Sequence, residues 1–407
     1  MSCRVGLLVL VTGMLGALAC DRGHSSGSSF AQRDSAGVSI TQNAVPDRSA
    51  LATWTVRAEP EIDVGQLEGE EAYQLFRVSD AVRLPDGRIV VGNGGSQELR
   101  FFDGAGTFLT TVGREGKGPG EFTGLGMLGV ARDSIHVFDW SLYRVSVFDQ
   151  EGRFGRSYVI RVPGIAFPQA AGMLADGSWV IMSGFAFSPQ KISAVVRDTS
   201  LFVRVSSEGA VVDTLGRFPT VEFFMWGDGR STTAATRAFG KSVTTGVAAS
   251  RIYVGLTEKY EILGFTPGGK ATSIIRKTHV PRPVTAADIE AYKEEDLGRR
   301  VRPSFRPQME RLLADMPYPE TMPAFADLEV DAGGYLWVQE FDPPGTPVAR
   351  WTVFNPEGRA VAAVETPRDL TIRQIGTDFV LGTWSDDLGV EHVRLHALVK
   401  PNPEELR

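Results

Sequence analysis

Cysteine is almost missing from this sequence. Its two copies, Cys3 and Cys20, both stand at the N-terminal end. The rest of the chain therefore holds no disulfide and no thiolate metal site. Histidine is also scarce, with five copies at positions 24, 136, 279, 392 and 396. No HExxH motif occurs. His392 and His396 are four apart, but the alternation around them reads as a strand, where they share a face with Arg394 between them. A structural role is expected for both. A basic excess is lacking too: the net charge is −7. Nucleic-acid binding needs a basic footprint, and so does adsorption to an anionic membrane, so neither is expected.

Turn formers are plentiful. Forty-five glycines and 23 prolines accompany a hydrophobic fraction of 43% over 407 residues. That composition suits a large core cut by many turns, and radial β architectures of this length form single domains.

The N-terminus reads as an address. Arg4 precedes a 15-residue apolar run, Val5 to Ala19, ending in Leu15-Gly16-Ala17-Leu18-Ala19 before Cys20. A charged start, an apolar stretch and small residues before a cut make a secretory signal. The run is shorter than the ~20 residues that span a bilayer. Ala17-Leu18-Ala19-Cys20 resembles a bacterial lipobox, which implies cleavage before Cys20 and its lipidation. Plain secretion with Cys20 incidental is the other reading. Asp21 resembles an inner-membrane retention signal. His24 to Asn43 is rich in Ser, Gly, Gln and Asp and should be a flexible tether, having too little apolar surface to order itself.

The body repeats a two-turn unit. The first turn and the strand after it recur at Asp86-Gly87-Arg88-Ile89-Val90-Val91, Asp133-Ser134-Ile135-His136-Val137, Asp176-Gly177-Ser178-Trp179-Val180-Ile181, Ser250-Arg251-Ile252-Tyr253-Val254, Gly333-Gly334-Tyr335-Leu336-Trp337-Val338 and Thr377-Asp378-Phe379-Val380-Leu381. The second turn recurs five times and ends in Gly106, Gly152, Gly209, Gly269 and Gly358. A glycine at the same place each time predicts a left-handed position there. The two turns lie 19 residues apart in three copies and 24 or 32 in the others, so insertions fall between the two middle strands. The sixth copy ends after Val393-Arg394-Leu395 without an outer strand, whereas Glu61 to Gly65 looks like an outer strand with no turn before it. This stretch is expected to complete the last repeat and close a ring, which removes an open sheet edge.

Leu84-Pro85-Asp86-Gly87-Arg88-Ile89-Val90-Val91, Phe101-Phe102-Asp103-Gly104-Ala105-Gly106 and Val112 to Phe122 carry a resemblance to six-bladed β-propellers of the NHL-like kind, which include bacterial lipoproteins of unknown function. The resemblance covers roughly residues 50 to 400. It implies an all-β fold of six four-stranded antiparallel blades closed by an N-terminal strand, with a small helical insertion. The expected divisions are a signal peptide at 1–19, the lipidated Cys20 and flexible tether at 20–50, the propeller at 51–400 with its insertion at about 281–323, and a tail at 401–407.

In such a blade both short turns lie on one face and every long connection on the other. The long excesses are Ser183 to Ser200, Arg217 to Lys241, Thr278 to Phe325, Glu340 to Pro347 and Thr383 to Val390, and insertions gathered on one face mark a binding face. The longest reads as helical: Thr285-Ala286-Ala287-Asp288 is a capping box with Asp at its end, and Phe305, Met309, Leu312 and Leu313 have helical spacing. It is expected to cap the ring and to be removable without unfolding it; a lid or partner-binding hairpin is the sharper reading. The glycine-rich loop from Gly113 to Phe122 tempts as a phosphate cradle, but it leads into a strand rather than a helix, so it is expected to be a crossing between blades.

Trp140, Tyr143, Trp226, Arg230, Phe341 and Trp384, with Phe223 and Phe224, are the candidate binding residues on the long-loop face. They would wall a concave mouth for a protein, a peptide or a small-molecule ligand. Gluconolactonase-like and streptogramin-lyase-like propellers resemble this fold and carry a metal, or catalytic His and carboxylates, at the channel mouth. Here Asp80, Asp327 and Glu329 lie near inner-strand starts with no His among them. The expected function is a non-catalytic binding module of the cell envelope, held to a membrane by lipid and needing no cofactor and no metal. A metal-assisted hydrolase or lyase using Ca²⁺ or Mg²⁺ is the alternative, since hard cations need only oxygen ligands.

Overall fold

Strand, tight turn, strand is the unit that recurs through the computed structural model, which describes residues 30–44, 48–165, 167–184, 193–227, 232–298 and 304–401. The first sheet shows why. Val78–Arg83, Ile89–Asn93, Glu98–Phe102 and Phe108–Val112 pair antiparallel in chain order. Asp86 accepts from the Arg88 amide inside the first turn, and Asp103 accepts from Ala105 and Thr107 inside the second. Such Asx contacts give the turn its own hydrogen bonds. The five glycines ending the second turn have φ between 74° and 89°, as the repeat predicted. At two first turns the left-handed residue is Arg132 or Ala249 instead.

The pattern continues with sheets built on inner strands Leu125–Ala131, Pro168–Met173, Val243–Ala248, Asp327–Val330 and Thr371–Ile375. The apolar residues of each sheet pack face to face with those of the next. Leu84, Val90 and Phe101 meet Leu128, Ile135 and Phe148, while Phe138 and Val145 meet Trp179 and Ile181. The inner strands surround one central cavity, so the architecture is a β-propeller.

The N-terminal segment departs from the sequence expectation. Phe30–Ser35 and Val38–Asn43 form a hairpin rather than a loose tether, and Val38–Asn43 pairs in parallel with the outer strand Ala271–Lys277. Composition underestimates this stretch because backbone hydrogen bonds to an existing edge order it. Asn43 is the fastening. It is buried, its amide donates to the carbonyls of Arg276 and Gly358, and its oxygen accepts from Ala360. Ala52–Thr53 then pairs with Ala362–Ala363, Thr55–Val56 with Leu398–Val399, and Ile62–Val64 with Val393–Leu395. The segment runs along the outer edges of three successive sheets. Asp63 accepts from Arg394 at 2.9 Å and bonds His392 at 2.7 Å.

Three of the long connections build a second, smaller unit with a core of its own. Helices α1 (Ala286–Gly298) and α2 (Arg306–Asp315) lie against the three-stranded sheet of Ala194–Val196, Phe223–Gly227 and Thr232–Thr236. The predicted capping box forms: Asp288 accepts from the Thr285 amide, and the Thr285 hydroxyl accepts from the Asp288 amide. Leu312 and Leu313 are buried as their spacing required, while Phe305 is exposed. Their partners are Phe224, Trp226 and Phe239 of the connection from Arg217 to Lys241.

Candidate functional site

The central cavity has a volume of about 870 Å³ and takes lining residues from each of the inner strands named above. Four of those strands are bulged at its level. The register slips between Val78 and Asp80, Leu125 and Leu128, Ala170 and Gly172, and Ile372 and Gln374. A bulge leaves one residue unpaired and re-aims it. Arg373 is such a residue, and it lines the cavity. The slip in the second inner strand ends at Leu128, whose amide donates to Asp80 at 2.8 Å. Asp80 accepts from its neighbour Ala81 as well. Gln374 ties the last inner strand to the first, accepting from the Arg83 amide at 2.6 Å.

Asp327 and Glu329 are two apart on a regular strand, so they share one face, and both line the cavity. Asp327 accepts from the Leu328 amide and from the Thr244 hydroxyl of the neighbouring inner strand. The Glu329 carboxyl makes no hydrogen bond among the described residues, although its backbone pairs with Trp337. The three carboxyls share the cavity with one basic group, Arg373.

Burial dominates their electrostatics. It pushes Asp80 up to about 6, against the opposing pull of Arg373 and two amide donors. Asp327 presents surface to the cavity, yet protein surrounds it, and this loss of bulk solvent raises its carboxyl too. Glu329 is held well above the usual range by burial first and then by the charges of Asp327 and Asp80. All three directions favour the neutral acid, and the folded protein therefore binds protons more tightly than the unfolded chain. The resulting stability is full below the ordinary carboxylate range and is lost as pH rises through the raised values. For Asp80, moving from 3.8 to about 6 corresponds to roughly 3 kcal/mol. The melting temperature should accordingly be higher at pH 5 than at pH 8. Glu329→Gln should raise it at pH 8 and shrink the difference; an unchanged pH slope in that variant would show that the window belongs to other groups.

Of the aromatic candidates, all among the described residues, the structure brings Trp140 to this cavity. Trp140 lines it and is 59% exposed. Trp226 is buried beneath the helices, with its indole N–H on Asp315 at 2.8 Å. Phe341 packs against the same cluster, its ring 6.3 Å from Phe239. Trp384 is covered by Arg394, whose guanidinium carbon lies 3.5 Å from the ring centroid. Tyr143 is a backbone feature, with φ of 50° and a carbonyl accepting from Ile160. Arg230 and Cys20 lie outside the described residues. None of the residues of α1 or α2 lines the cavity.

Sequence reasoning noticed Asp80, Asp327 and Glu329 without assigning them, and it missed Arg373. One signal was available, because Asp80 and Asp327 each stand seven residues before a turn glycine, Gly87 and Gly334. The bulge that turns Arg373 inward leaves no such mark. In the loop from Gly113 to Phe122, the Glu121 carboxylate takes the Gly118 amide and Arg114, and the chain enters a strand, as a crossing should. Among the described residues no three His, Cys, Asp or Glu side chains converge closely enough to hold a metal ion.

No protein-family profile matches the chain, and no curated protein matches it. Its fold is similar to that of a DUF4221-family member from Bacteroides vulgatus, at 12% identity and TM-score 0.52, over 86% of this chain and all of the other. Weaker likenesses are to virginiamycin B lyase from Staphylococcus aureus, at 9% identity and TM-score 0.39 over 84% and 99% of the two chains. The regucalcin of Agrobacterium tumefaciens, a calcium-binding protein, aligns at 10% identity and TM-score 0.38 over 86% and 97%. At these identities the likeness concerns the fold alone.

Proposed function

We propose that this protein is an exported, lipid-anchored six-bladed propeller, closed by Ile62–Val64, that binds a small ligand in its central channel without transforming it. One observation carries the reading: a cavity of about 870 Å³ into which acidic, basic and amide side chains converge from separate strands, with Trp140 at its long-loop end. Convergent polar groups in a concave, partly apolar site are what ligand pockets present. Export and anchoring are supported by Arg4, the Val5–Ala19 run and Cys20, and closure by the pairing of Ile62–Val64 with the final strand. No cofactor is part of this reading.

A second reading has its own support. Carboxyls held protonated beside ionisable neighbours suit general acid–base work, with Ca²⁺ or Mg²⁺ as the cation if a metal takes part. Native mass spectrometry of the full chain, extracted from its own membranes in mild detergent, separates the two. The expected spectrum shows a small-molecule adduct in the wild type that vanishes in Thr245→Trp, a substitution that fills the channel. An adduct retained in that variant, or absent from both, would overturn the channel reading, and a chemically altered molecule recovered after incubation would favour the enzyme.

A further inference from the structure

The cavity holds a carboxyl and a guanidinium that do not satisfy each other. Arg373 donates Nε to Thr383 at 3.3 Å and makes no other hydrogen bond or ion pair among the described residues. The Glu329 carboxyl likewise has no hydrogen-bond partner among them. Both line the same cavity, within electrostatic reach of one another. An enclosed carboxylate and an enclosed guanidinium ordinarily pair, since each left alone forgoes its strongest interaction. Here strand geometry keeps them apart. Glu329 sits on a regular strand, while Arg373 is fixed on a bulge of another inner strand and leans on Thr383. The remaining two carboxyls are engaged by protein donors: Asp80 by Leu128 and Ala81, Asp327 by Leu328 and Thr244. Glu329 and Arg373 are therefore the groups with hydrogen-bonding capacity to offer.

Resting on the channel reading above, we infer that the ligand is a small zwitterion, its amine held by Glu329 and its carboxylate by Arg373. An ammonium presents three donors to a carboxylate, and a guanidinium presents a planar fork to a carboxylate. A molecule carrying both groups bridges the gap that the fold leaves open. It joins two inner strands that do not otherwise make an ion pair with each other. Asp327, two residues from Glu329, adds negative field at the amine end, and Trp140 gives the cavity an aromatic face. Because burial holds Glu329 in its neutral form when the cavity has no cation, taking up an ammonium expels a proton.

The test uses the full chain in mild detergent and three matched probe sets: ω-amino acids of graded length, n-alkylamines and n-alkanoates. Thermal shift ranks them, and titration calorimetry in buffers of different ionisation enthalpy counts protons. An ω-amino acid of the right length should bind at least about tenfold more tightly than the amine or alkanoate of equal length, with proton release. Glu329→Gln should weaken the ω-amino acid by about tenfold or more and leave the alkanoates unaffected, and Arg373→Gln should do the reverse for the alkylamines. Equal losses for every probe in both variants, or tighter binding of the single-charge probes, would overturn the zwitterion while leaving the channel intact as a binding site. If no probe binds yet the native adduct of the wild type is lost in Thr245→Trp, the ligand is of another class, and only this inference fails.

Discussion

Trp226→Ala should melt the helical cap while the ring stays folded. Trp226 is 4% exposed, and its indole N–H is satisfied by Asp315. Removing a buried aromatic of this size costs about 3–5 kcal/mol, because transfer energy and a cavity are lost together. The cost should fall locally. The cap has a core of its own, in which Phe224, Trp226 and Phe239 meet Leu312, Leu313, Met316 and Met322. Arg237 ties two of its insertions together at the Pro317 carbonyl at 2.6 Å, while Arg368 to Glu295 at 3.9 Å links it to the body. Hydrogen exchange should show protection falling across α1, α2 and Phe223–Thr236 while the inner strands keep theirs. Uniform loss of protection would mean that cap and ring unfold as one. The same packing corrects a simpler expectation. Excising Arg282 to Met322 would strip the cover from Phe224, Trp226 and Phe239, so that deletion alone should aggregate.

The second large effect concerns Val64. It is 1% exposed and packs with Ile62, Val78, Val91, Phe102 and Leu395, joining the two ends of the chain in one cluster. Val64→Asp places a carboxylate there with no partner, which costs roughly 3–5 kcal/mol. The damage should be global, because Ile62–Val64 bonds to the final strand and Gly106 of the first sheet rests on both Ile62 and Val64. Circular dichroism should show a broad, early transition. Asp63→Ala is the control. It breaks the contacts to His392 and Arg394, which are partly exposed, and should cost only about 1 kcal/mol. A Val64→Asp protein melting as sharply and as late as the wild type would show that this strand is ornamental.

How far these features could be read beforehand depends on what kind of interaction fixes each. Local turn chemistry was legible: Gly106, Gly152, Gly209, Gly269 and Gly358 all take the left-handed backbone that their spacing required. Thr285 and Asp288 were legible as well, since a capping box involves residues only three apart. Long-range matters were not. Phe30 to Asn43 reads as a tether because its order comes from an edge strand more than 230 residues away. Trp226 and Phe341 read as rim aromatics because nothing local says that two insertions will pack on each other. Arg373 escaped because a bulge depends on the pairing register, which one strand's sequence does not contain.

The pairing of Ile62–Val64 with Val393–Leu395 also sets a timetable. Asp63 and Arg394 face each other across 331 positions of sequence. A ribosome adding about 5–20 residues per second needs roughly a quarter of a minute to a minute to travel that far. For all of that time Ile62 and Val64 have been made and their partners have not. The nascent chain can therefore assemble middle sheets from neighbours in sequence, but its first and last pieces must wait for synthesis to finish. That pairing stays unmade until Val393–Leu395 have been synthesised.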